Sequence, residues 1–272
     1  MGTAAPNPAR PQPVEPRPAA TVLLVRDSPE RGELQVFLQR RVTGMAFAGG
    51  MTVFPGGSVS PDDVPDPARW RGPEPARFGS RLGQPEPLAA ALVTAAVRET
   101  FEECGVLLAS RRGAAPGPVA DAAAWRADLE GRHVTLPALL DRHDMELRAD
   151  LLVPWSRWIT PAVNPRRYDT AFLVARVPDG QDADDATTEA VEARWWSPTD
   201  ALAGHAAGEL SLMAPTLHTL QDLARHTSAA AVLHAAARRD ISPVTPEIRR
   251  EGRVAVITLP GDPDWRYEET TG

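Results

Sequence analysis

The sequence predicts an α/β protein in which apolar strands and amphipathic helices share one chain. Three observations carry this prediction: a β-rich pair of runs near the start, a long helix at residues 87–106, and a strand rich in β-branched and aromatic residues after Thr170. The chain has 272 residues and 43% of them are hydrophobic. It is therefore long enough for one large domain with elaborations.

The first elements are a tail and a hairpin. Residues 1–18 contain repeated prolines and few apolar side chains, which predicts a disordered or extended tail. Residues 20–25 and 33–39 are β-rich, and the turn residues at 27–32 lie between them. We therefore predict that these two runs form a hairpin.

The middle of the chain combines a proline-rich segment with one long helix. Residues 58–86 hold many prolines and the aromatic anchors Trp70 and Phe78, which predicts an ordered surface loop with one short helix. In the helix at 87–106, Pro87 suits the first turn and Gly105 the position after the last. One face carries an apolar stripe, formed by Val93, Val97, Phe101 and Cys104.

Three glutamates lie on the other side of this helix. At about 100° per residue, Glu99, Glu102 and Glu103 fall within roughly 100° of arc and repel one another. Arg98 is the one adjacent cation in the sequence. A hard divalent cation such as Mg²⁺ or Mn²⁺ would neutralise the cluster, although a solvated acidic helix end explains the charge equally well.

The neighbouring residues resemble a known motif. The run Arg98-Glu99-x-x-Glu102-Glu103-x-Gly105-Val106 resembles the second half of the Nudix box, G-x5-E-x7-R-E-U-x-E-E-x-G-U, in which U is apolar. Upstream, Phe54-Pro55-Gly56-Gly57 resembles the entry of that box. The chain is thus similar to the Nudix hydrolases, which cleave a nucleoside diphosphate linked to another group.

The match departs from the standard box in two ways. Thr100 stands where the box has an apolar residue, and residues 58–97 separate Gly57 from Arg98. Ala90 lies eight positions before Arg98, so the first glutamate of the box is absent there, and Glu86 is out of register. Such an enlarged box resembles the Nudix motif 19 branch, which is associated with coenzyme A diphosphatase activity.

The resemblance implies an architecture. We expect an α/β/α sandwich around a mixed sheet, with an insertion in the Nudix loop and extra helices. The implied Nudix hydrolase domain covers residues 19–240, with the insertion at 58–86 and a helical cap at 119–148. Residues 241–272 would be an extension to which we assign no function.

The resemblance also implies roles for the helix and its loop. Glu99 and Glu103 would bind Mg²⁺ or Mn²⁺, and Glu102 would be a third ligand or reach a second metal. Arg98 would orient these carboxylates. The backbone of Gly56 and Gly57 would approach metal and phosphate. These residues would together make a metal-dependent phosphohydrolase site.

Two further roles are less tightly defined by the sequence. Glu189, in the acidic loop 179–189, is our candidate for the catalytic base, with Glu192 and Asp185 as weaker candidates and a solvated loop acid as the alternative. Arg166 and Arg167 could bind substrate phosphate through bidentate contacts; the alternative for one of them is a structural pair with Asp169.

The remaining elements follow from local patterns. We predict strands at 106–109, 191–196 and 253–259, helices at 119–131, 136–148 and 210–237, and a helix beginning near Ser197.

Composition limits the partners. The net charge is −7, and every basic residue is Arg, so we expect no broad nucleic-acid surface. We expect no membrane span, since no apolar run approaches the ~20 residues a span requires. We expect no signal peptide, since the N-terminal residues lack its apolar core. The single Cys104 fits a reducing cytoplasm and a place in the core. The sequence leaves open whether the protein forms a homodimer.

The enlarged box favours one small-molecule substrate class by resemblance. We expect coenzyme A or acyl-coenzyme A, cleaved to 3′,5′-ADP and (acyl-)4′-phosphopantetheine. The 58–86 insertion could wall a channel for the pantetheine arm or be only a structural lid, and the sequence favours neither. Arg166 or Arg167 would bind the 3′-phosphate. The alternatives are an ADP-ribose or dinucleotide diphosphatase, and a non-catalytic nucleotide sensor, which would be expected to lose the glutamates.

Overall fold

The computed structural model describes residues 14–44, 48–186, 190–252 and 254–270, and in these a mixed sheet lies between two layers of helices. The strands are β1 (Arg17–Asp27), β2 (Leu34–Arg41), β3 (Thr52–Val53), β4 (Gly56–Ser58), β5 (Trp70–Arg71), β6 (Ala109–Arg111), β7 (Met145–Arg148), β8 (Val153–Ile159), β9 (Tyr168–Arg176), β10 (Ala190–Trp196), β11 (Pro243–Val244), β12 (Glu247–Glu251), β13 (Val254–Leu259) and β14 (Asp262–Thr270). The helices are α1 (Pro75–Leu82), α2 (Glu86–Cys104), α3 (Ala122–Glu130), α4 (Leu136–Arg142), α5 (Pro198–Ala206), α6 (Ala214–Leu223) and α7 (Ala229–Arg238), with short 3-10 turns at Pro67–Arg69 and Ala149–Leu151.

The main sheet is mixed, as predicted. Its strand order is β10-β2-β1-β9-β8-β11, and the short strands β3 and β4 pair with β2 and β1. Strands β1 and β9 are parallel, whereas β2 and β8 run antiparallel to their central neighbours. The predicted hairpin is confirmed as β1–β2, and β9 is the predicted central strand.

The central strands separate two cores because their side chains alternate between faces. In β1, Val22 and Leu24 pack with α1 and α2, whereas Leu23 and Val25 pack with α5, α6 and α7. All four are fully buried. The predicted α/β/α sandwich is therefore confirmed.

Helix α2 is the element that positions the glutamates. It ends at Cys104, and Gly105 adopts the left-handed conformation at φ 73°, donating its N–H to the carbonyl of Phe101. The apolar stripe predicted for this helix is completely buried. The Cys104 thiol donates to the Thr100 carbonyl at 2.9 Å, which agrees with its predicted place in the core.

Two predicted elements are corrected. Residues 106–108 are not a strand, because the Gln181 side chain hydrogen-bonds both the N–H and the carbonyl of Leu107, and the strand β6 begins only at Ala109. The helix predicted for 136–148 ends at Arg142, and Met145–Arg148 forms β7 between β5 and β6. Residues 119–148 are therefore a mixed unit of two helices and a strand, not an all-helical cap.

The ends of the chain differ from the prediction in extent. Arg17 and Pro18, which we expected in the tail, begin β1, and the Arg17 N–H donates to the Arg167 carbonyl at 2.9 Å. Beyond residue 240 the chain adds β11 to the main sheet and then the three-stranded sheet β12–β14, where one strand was predicted. In the described ranges, no helix combines the length and apolarity needed to cross a bilayer.

Candidate active site

The C-terminal end of α2 concentrates negative charge. Glu99, Glu102 and Glu103 lie in its last turns, where the helix dipole is also negative and no basic residue is present in the final turn. Such an arrangement needs a cation, because like charges one turn apart destabilise a helix. Arg98 supplies part of that charge.

Arg98 connects the helix to the loop after β4. Its Nη1 contacts Glu99 Oε1 and Glu102 Oε2, both at 2.8 Å. Its Nε and Nη2 donate to Asp63 at 2.9 and 3.0 Å, and Nη2 also donates to the Ser58 carbonyl at 3.0 Å. Burial alone would lower the pKa of Arg98, but the hydrogen bonds to Asp63 and the charges of these carboxylates outweigh burial and raise it. Arg98 therefore stays charged and contacts both glutamates, which is compatible with the orienting role predicted for it.

Asp63 corrects our interpretation of the box. Its side chain is almost fully buried, and it holds Arg98 with two hydrogen bonds. Ala90, where the register counted back from Arg98 placed the missing glutamate, lies buried on the core side of α2, and Glu86 is exposed at the start of the helix. Counted forward from Gly57, five residues precede Asp63, which is the spacing of the first acid in the box. The acid is therefore present as aspartate, and the extra residues follow it.

Glu103 has a different environment from its neighbours on the helix. Only 3% of the residue is exposed, and Oε2 accepts hydrogen bonds from Gln39 Nε2 and from the Gly56 N–H, both at 2.6 Å. Arg41 Nη1 lies 3.9 Å from Oε1. Strand β2 and the β4 loop thus fix this carboxylate, and our sequence analysis identified neither Gln39 nor Arg41.

Gly57 lies directly against the carboxylate of Glu99. A Cβ atom built on Gly57 would overlap the carboxyl carbon and both oxygens of Glu99. With glycine at position 57, the Glu99 carboxylate can lie directly against the loop backbone, whereas a larger residue would displace that carboxylate. The predicted proximity of the loop backbone to the acidic cluster is present at both Gly56 and Gly57.

The donor set suits a hard divalent cation, although the three carboxylates do not converge. In the described residues no three acidic, imidazole or thiol groups are arranged to hold a metal ion. Mg²⁺, however, usually binds one or two carboxylates, waters and substrate phosphates, not a complete protein cage. Glu99 and Glu103, one turn apart beside the Gly56–Gly57 backbone, fit that requirement, and Glu99 and Glu102 both also contact Arg98. Burial raises the pKa of Glu102 despite the opposing charge of Arg98.

A cleft of about 450 Å³ opens beside these groups. Among the described residues that line it, Arg41 and Glu99 carry the charges. The lining also contains Gly56, Gly57 and Ser58 of the loop, and a broad apolar surface that includes Phe54, Trp158, Phe172, Met213, Ile248 and Ile257. The acidic helix and a mostly apolar chamber therefore share one opening.

Arg166 and Arg167 do not border this cleft. Arg167 donates to the backbone carbonyls of Thr160 and Val14 at 2.9 and 2.7 Å, so it fixes the chain between β8 and β9. Arg166 is exposed. Asp169 forms an ion pair with Arg157 at 2.6 Å. The cation of the cleft is Arg41, and the geometry gives no support to phosphate binding by the other two.

The candidate base stays a prediction. Glu189 lies outside the described residues. Glu192 is on β10, with Arg40 and Arg194 at 3.5 and 3.4 Å, and Asp185 is exposed.

The expected channel wall is also corrected. Phe78 is buried in the core beside α2, and Trp70 packs edge-on against it at 6.2 Å between ring centroids. Neither lines the cleft, because α1 binds the insertion to the core. Residues beyond 241, the segment to which the sequence assigned no function, instead contribute Pro246, Ile248 and Ile257 to the apolar lining.

Comparisons with known proteins agree with this geometry. The NUDT19 Nudix domain family matches residues 62–223, more than half of the chain. The chain is 29% identical over 209 residues to a nudix hydrolase of Caenorhabditis elegans, covering 77% of this chain and 61% of that protein. It is 29% identical over 267 residues to the acyl-coenzyme A diphosphatase NUDT19 of Homo sapiens, covering 81% of this chain and 64% of that one. The chain thus spans less than two thirds of the length of these relatives.

A solved structure shows the same fold. The crystal structure of a NUDIX hydrolase from Alicyclobacillus acidocaldarius superposes with a TM-score of 0.67 at 27% identity, covering 84% of this chain and 99% of that one. The family match includes Asp63, Arg98 and all three glutamates of α2. The chain therefore belongs to the NUDT19 Nudix domain family.

Proposed function

We propose that this chain is a metal-dependent diphosphatase that cleaves coenzyme A or an acyl-coenzyme A. The products would be 3′,5′-ADP and 4′-phosphopantetheine or its acyl derivative. The composition of the cleft carries the proposal: among the described residues its charges belong to Arg41 and Glu99, and most of the remaining lining is apolar. A diphosphate that joins a nucleotide to a long, largely uncharged arm matches this division of chemistry. The name of the human relative supports the same substrate class.

Arg41 is positioned to bind the diphosphate. It borders the cleft, and its guanidinium can donate two hydrogen bonds to phosphate oxygens, as arginine does in many phosphate sites. Its contact with Glu103 ties the cation to the acidic helix. The loss of Arg41 should therefore weaken substrate binding and also disturb Glu103.

The acidic helix would hold the cation. Mg²⁺ or Mn²⁺, when bound, would neutralise the diphosphate and lower the pKa of a water molecule. Glu99 and Glu103 would be its protein ligands, and Glu102 would be a third ligand or reach a second metal. Glu99 and Glu102 would each exchange a contact with Arg98 for the metal. The hydrogen bonds to Glu103 from Gln39 and Gly56 hold its carboxylate in place before substrate arrives.

The proposed reaction is hydrolysis of the diphosphate bond. A water oxygen attacks one phosphorus of the diphosphate, and the bond from that phosphorus to the bridging oxygen breaks. The bridging oxygen leaves with the second phosphate, and the proton of the water passes to a base. Glu189 remains our candidate for this base, since Glu192 already faces Arg40 and Arg194.

The experiment is product chromatography with purified protein and Mg²⁺ or Mn²⁺. Coenzyme A, octanoyl-coenzyme A, ADP-ribose and a dinucleotide are compared at equal concentration. We expect 3′,5′-ADP from the first two substrates. AMP from ADP-ribose or from the dinucleotide, without 3′,5′-ADP from coenzyme A, would overturn the proposal in favour of that diphosphatase. Binding without turnover of any of them would indicate a nucleotide sensor.

A further inference from the structure

The apolar wall of the cleft includes a part of the chain that the family match leaves out. That match ends at residue 223, whereas Pro246, Ile248 and Ile257 line the cleft. Ile248 and Ile257 are direct partners across the antiparallel β12–β13 pair, so their side chains project from the same face of the sheet. In β12, Ile248 is half-buried between exposed neighbours. The two isoleucines thus form one apolar surface that faces the cleft.

Contacts with α6 hold this sheet in place. Trp265 on β14 donates from Nε1 to Gln221 Oε1 at 2.8 Å, and its ring lies 5.7 Å from that of His218. The Tyr267 hydroxyl donates to the Leu212 carbonyl at 2.8 Å. Leu259 joins the same core as Trp158 and Phe172, which also line the cleft. The sheet is therefore a fixed wall of the cleft.

The chemistry of this wall defines what it can bind. The side chains that it contributes to the cleft, those of Pro246, Ile248 and Ile257, carry no charge and no hydrogen-bond donor. Among the described lining residues, the charged groups belong to β2 and α2. Each methylene that such a surface removes from water strengthens binding by roughly fourfold. A ligand with its diphosphate at Arg41 and Glu99 would thus gain affinity from an apolar arm that reaches Ile248 and Ile257.

We propose that the β12–β14 sheet is the specificity wall of the enzyme and that Ile248 and Ile257 select substrates by the length of their apolar arm. This inference rests on the proposed function for the identity of the diphosphate. It goes beyond that function because it assigns chain-length selection to these two residues. An acyl thioester should be preferred to free coenzyme A because its extra methylenes reach this wall.

The test compares octanoyl-coenzyme A with coenzyme A in the full chain. We define the ratio as kcat/KM for octanoyl-coenzyme A divided by kcat/KM for coenzyme A. Ile248→Ala and Ile257→Ala should each lower this ratio by about tenfold, as expected for the loss of most of a buried isoleucine contact. The value for coenzyme A, whose arm also meets the apolar lining of the cleft, should fall by a smaller factor. Val256→Ala is the matched control, because Val256 is also buried on β13 but points to the other face and does not line the cleft. An unchanged ratio in both isoleucine variants, or an equal change in the control, would overturn the proposal.

A second variant covers the case in which Ile257→Ala does not fold. Ile248 is half-buried at the edge of the sheet, so Ile248→Trp should be accommodated and should fill the cleft. We expect the octanoyl-coenzyme A value to fall at least tenfold relative to coenzyme A. A folded Ile248→Trp protein with the wild-type ratio would contradict the assignment.

Calorimetry without divalent ions separates this inference from the proposed function. Wild-type protein should bind octanoyl-coenzyme A more tightly than coenzyme A, and the isoleucine variants should lose most of this difference. If that result occurs without any turnover, the proposed function fails while the wall stands. If turnover occurs but the two ligands bind equally, the wall is wrong and the diphosphatase assignment stands.

Discussion

Asp63 offers the sharpest test of how the site is built. Asp63→Asn removes the buried charge that faces Arg98 but keeps one oxygen able to accept a hydrogen bond. The side chains of Asp63 and Arg98 are 2% and 15% exposed, so solvent screens the pair little. Breaking a buried ion pair costs about 3–5 kcal/mol. Glu99 and Glu102 still neutralise Arg98 in the variant, so we expect a loss of about 2–3 kcal/mol in the free energy of unfolding.

The assay is thermal unfolding together with steady-state kinetics. A loss of this size should lower Tm by about 5–10 °C in a chain of this length. Because Arg98 would lose its anchor and could shift together with Glu99 and Glu102, kcat should fall about tenfold or more, with a smaller change in KM. Asp62→Asn is the control, since Asp62 is the exposed neighbour. Asp63→Glu keeps the negative charge and introduces the residue type of the standard box. It should therefore lower Tm and kcat less than Asp63→Asn does.

The result that would refute this reasoning is specific. If Asp63→Asn has the Tm and kcat of the wild type, Arg98 is held by the carboxylates of α2 alone. The five-residue spacing between Gly57 and Asp63 would then be a coincidence, and Asp63 would not act as the first acid of the box.

The remaining predictions address the loop, a titrating group and the thiol. Gly57→Ala should lower kcat by about tenfold to a hundredfold with little change in Tm, because its methyl group displaces the flexible Glu99 carboxylate; Gly44→Ala, which has open space around it, should have no effect on kcat. Burial lowers the pKa of His218 in the folded protein below the ordinary histidine value of about 6.5. As pH falls through that value, the unfolded chain binds a proton at this position before the folded protein does. Stability should therefore decrease in that range, and His218→Gln should show a smaller fall in Tm between pH 7.5 and 5.5 than the wild type; an equal fall would exclude this role. Burial raises the pKa of Cys104, so a thiol reagent should modify it only after unfolding, and rapid labelling of native protein would contradict its place in the core.

The part of the fold that sequence predicts well is the part determined by local signals. Helix α2 has strong helix formers and a glycine in the left-handed conformation at its end, and both are visible in the sequence. Met145–Arg148 has acceptable helical propensity, yet it forms β7 because β5 and β6 lie on either side to pair with it. Glu247–Glu251 contains one apolar residue, so its sequence lacks the apolar–polar alternation that predicts a strand. It is a strand because it pairs with β13. In both segments the secondary structure is determined by pairing with other strands and not by local sequence.

The site shows the same limit. Glu99, Glu102 and Glu103 could be identified because they lie within two turns of one helix. Asp63 could not be assigned by counting back from Arg98, because the extra residues lie between them and only folding brings the two together. The motif also gave no indication that Ile248 would reach the same cleft, since a three-stranded sheet far along the chain returns to it.

The most direct test of the central claim is the rate of 3′,5′-ADP release from octanoyl-coenzyme A with Mg²⁺, measured for the wild type and for Glu103→Gln. Gln keeps the shape of the buried side chain but removes the charge that faces Arg41 and the Gly56 N–H. We predict equal amounts of 3′,5′-ADP and octanoyl-phosphopantetheine from the wild type, and a kcat at least about a hundredfold lower for the folded variant. No 3′,5′-ADP from the wild type, or equal rates for the two proteins, would contradict the account.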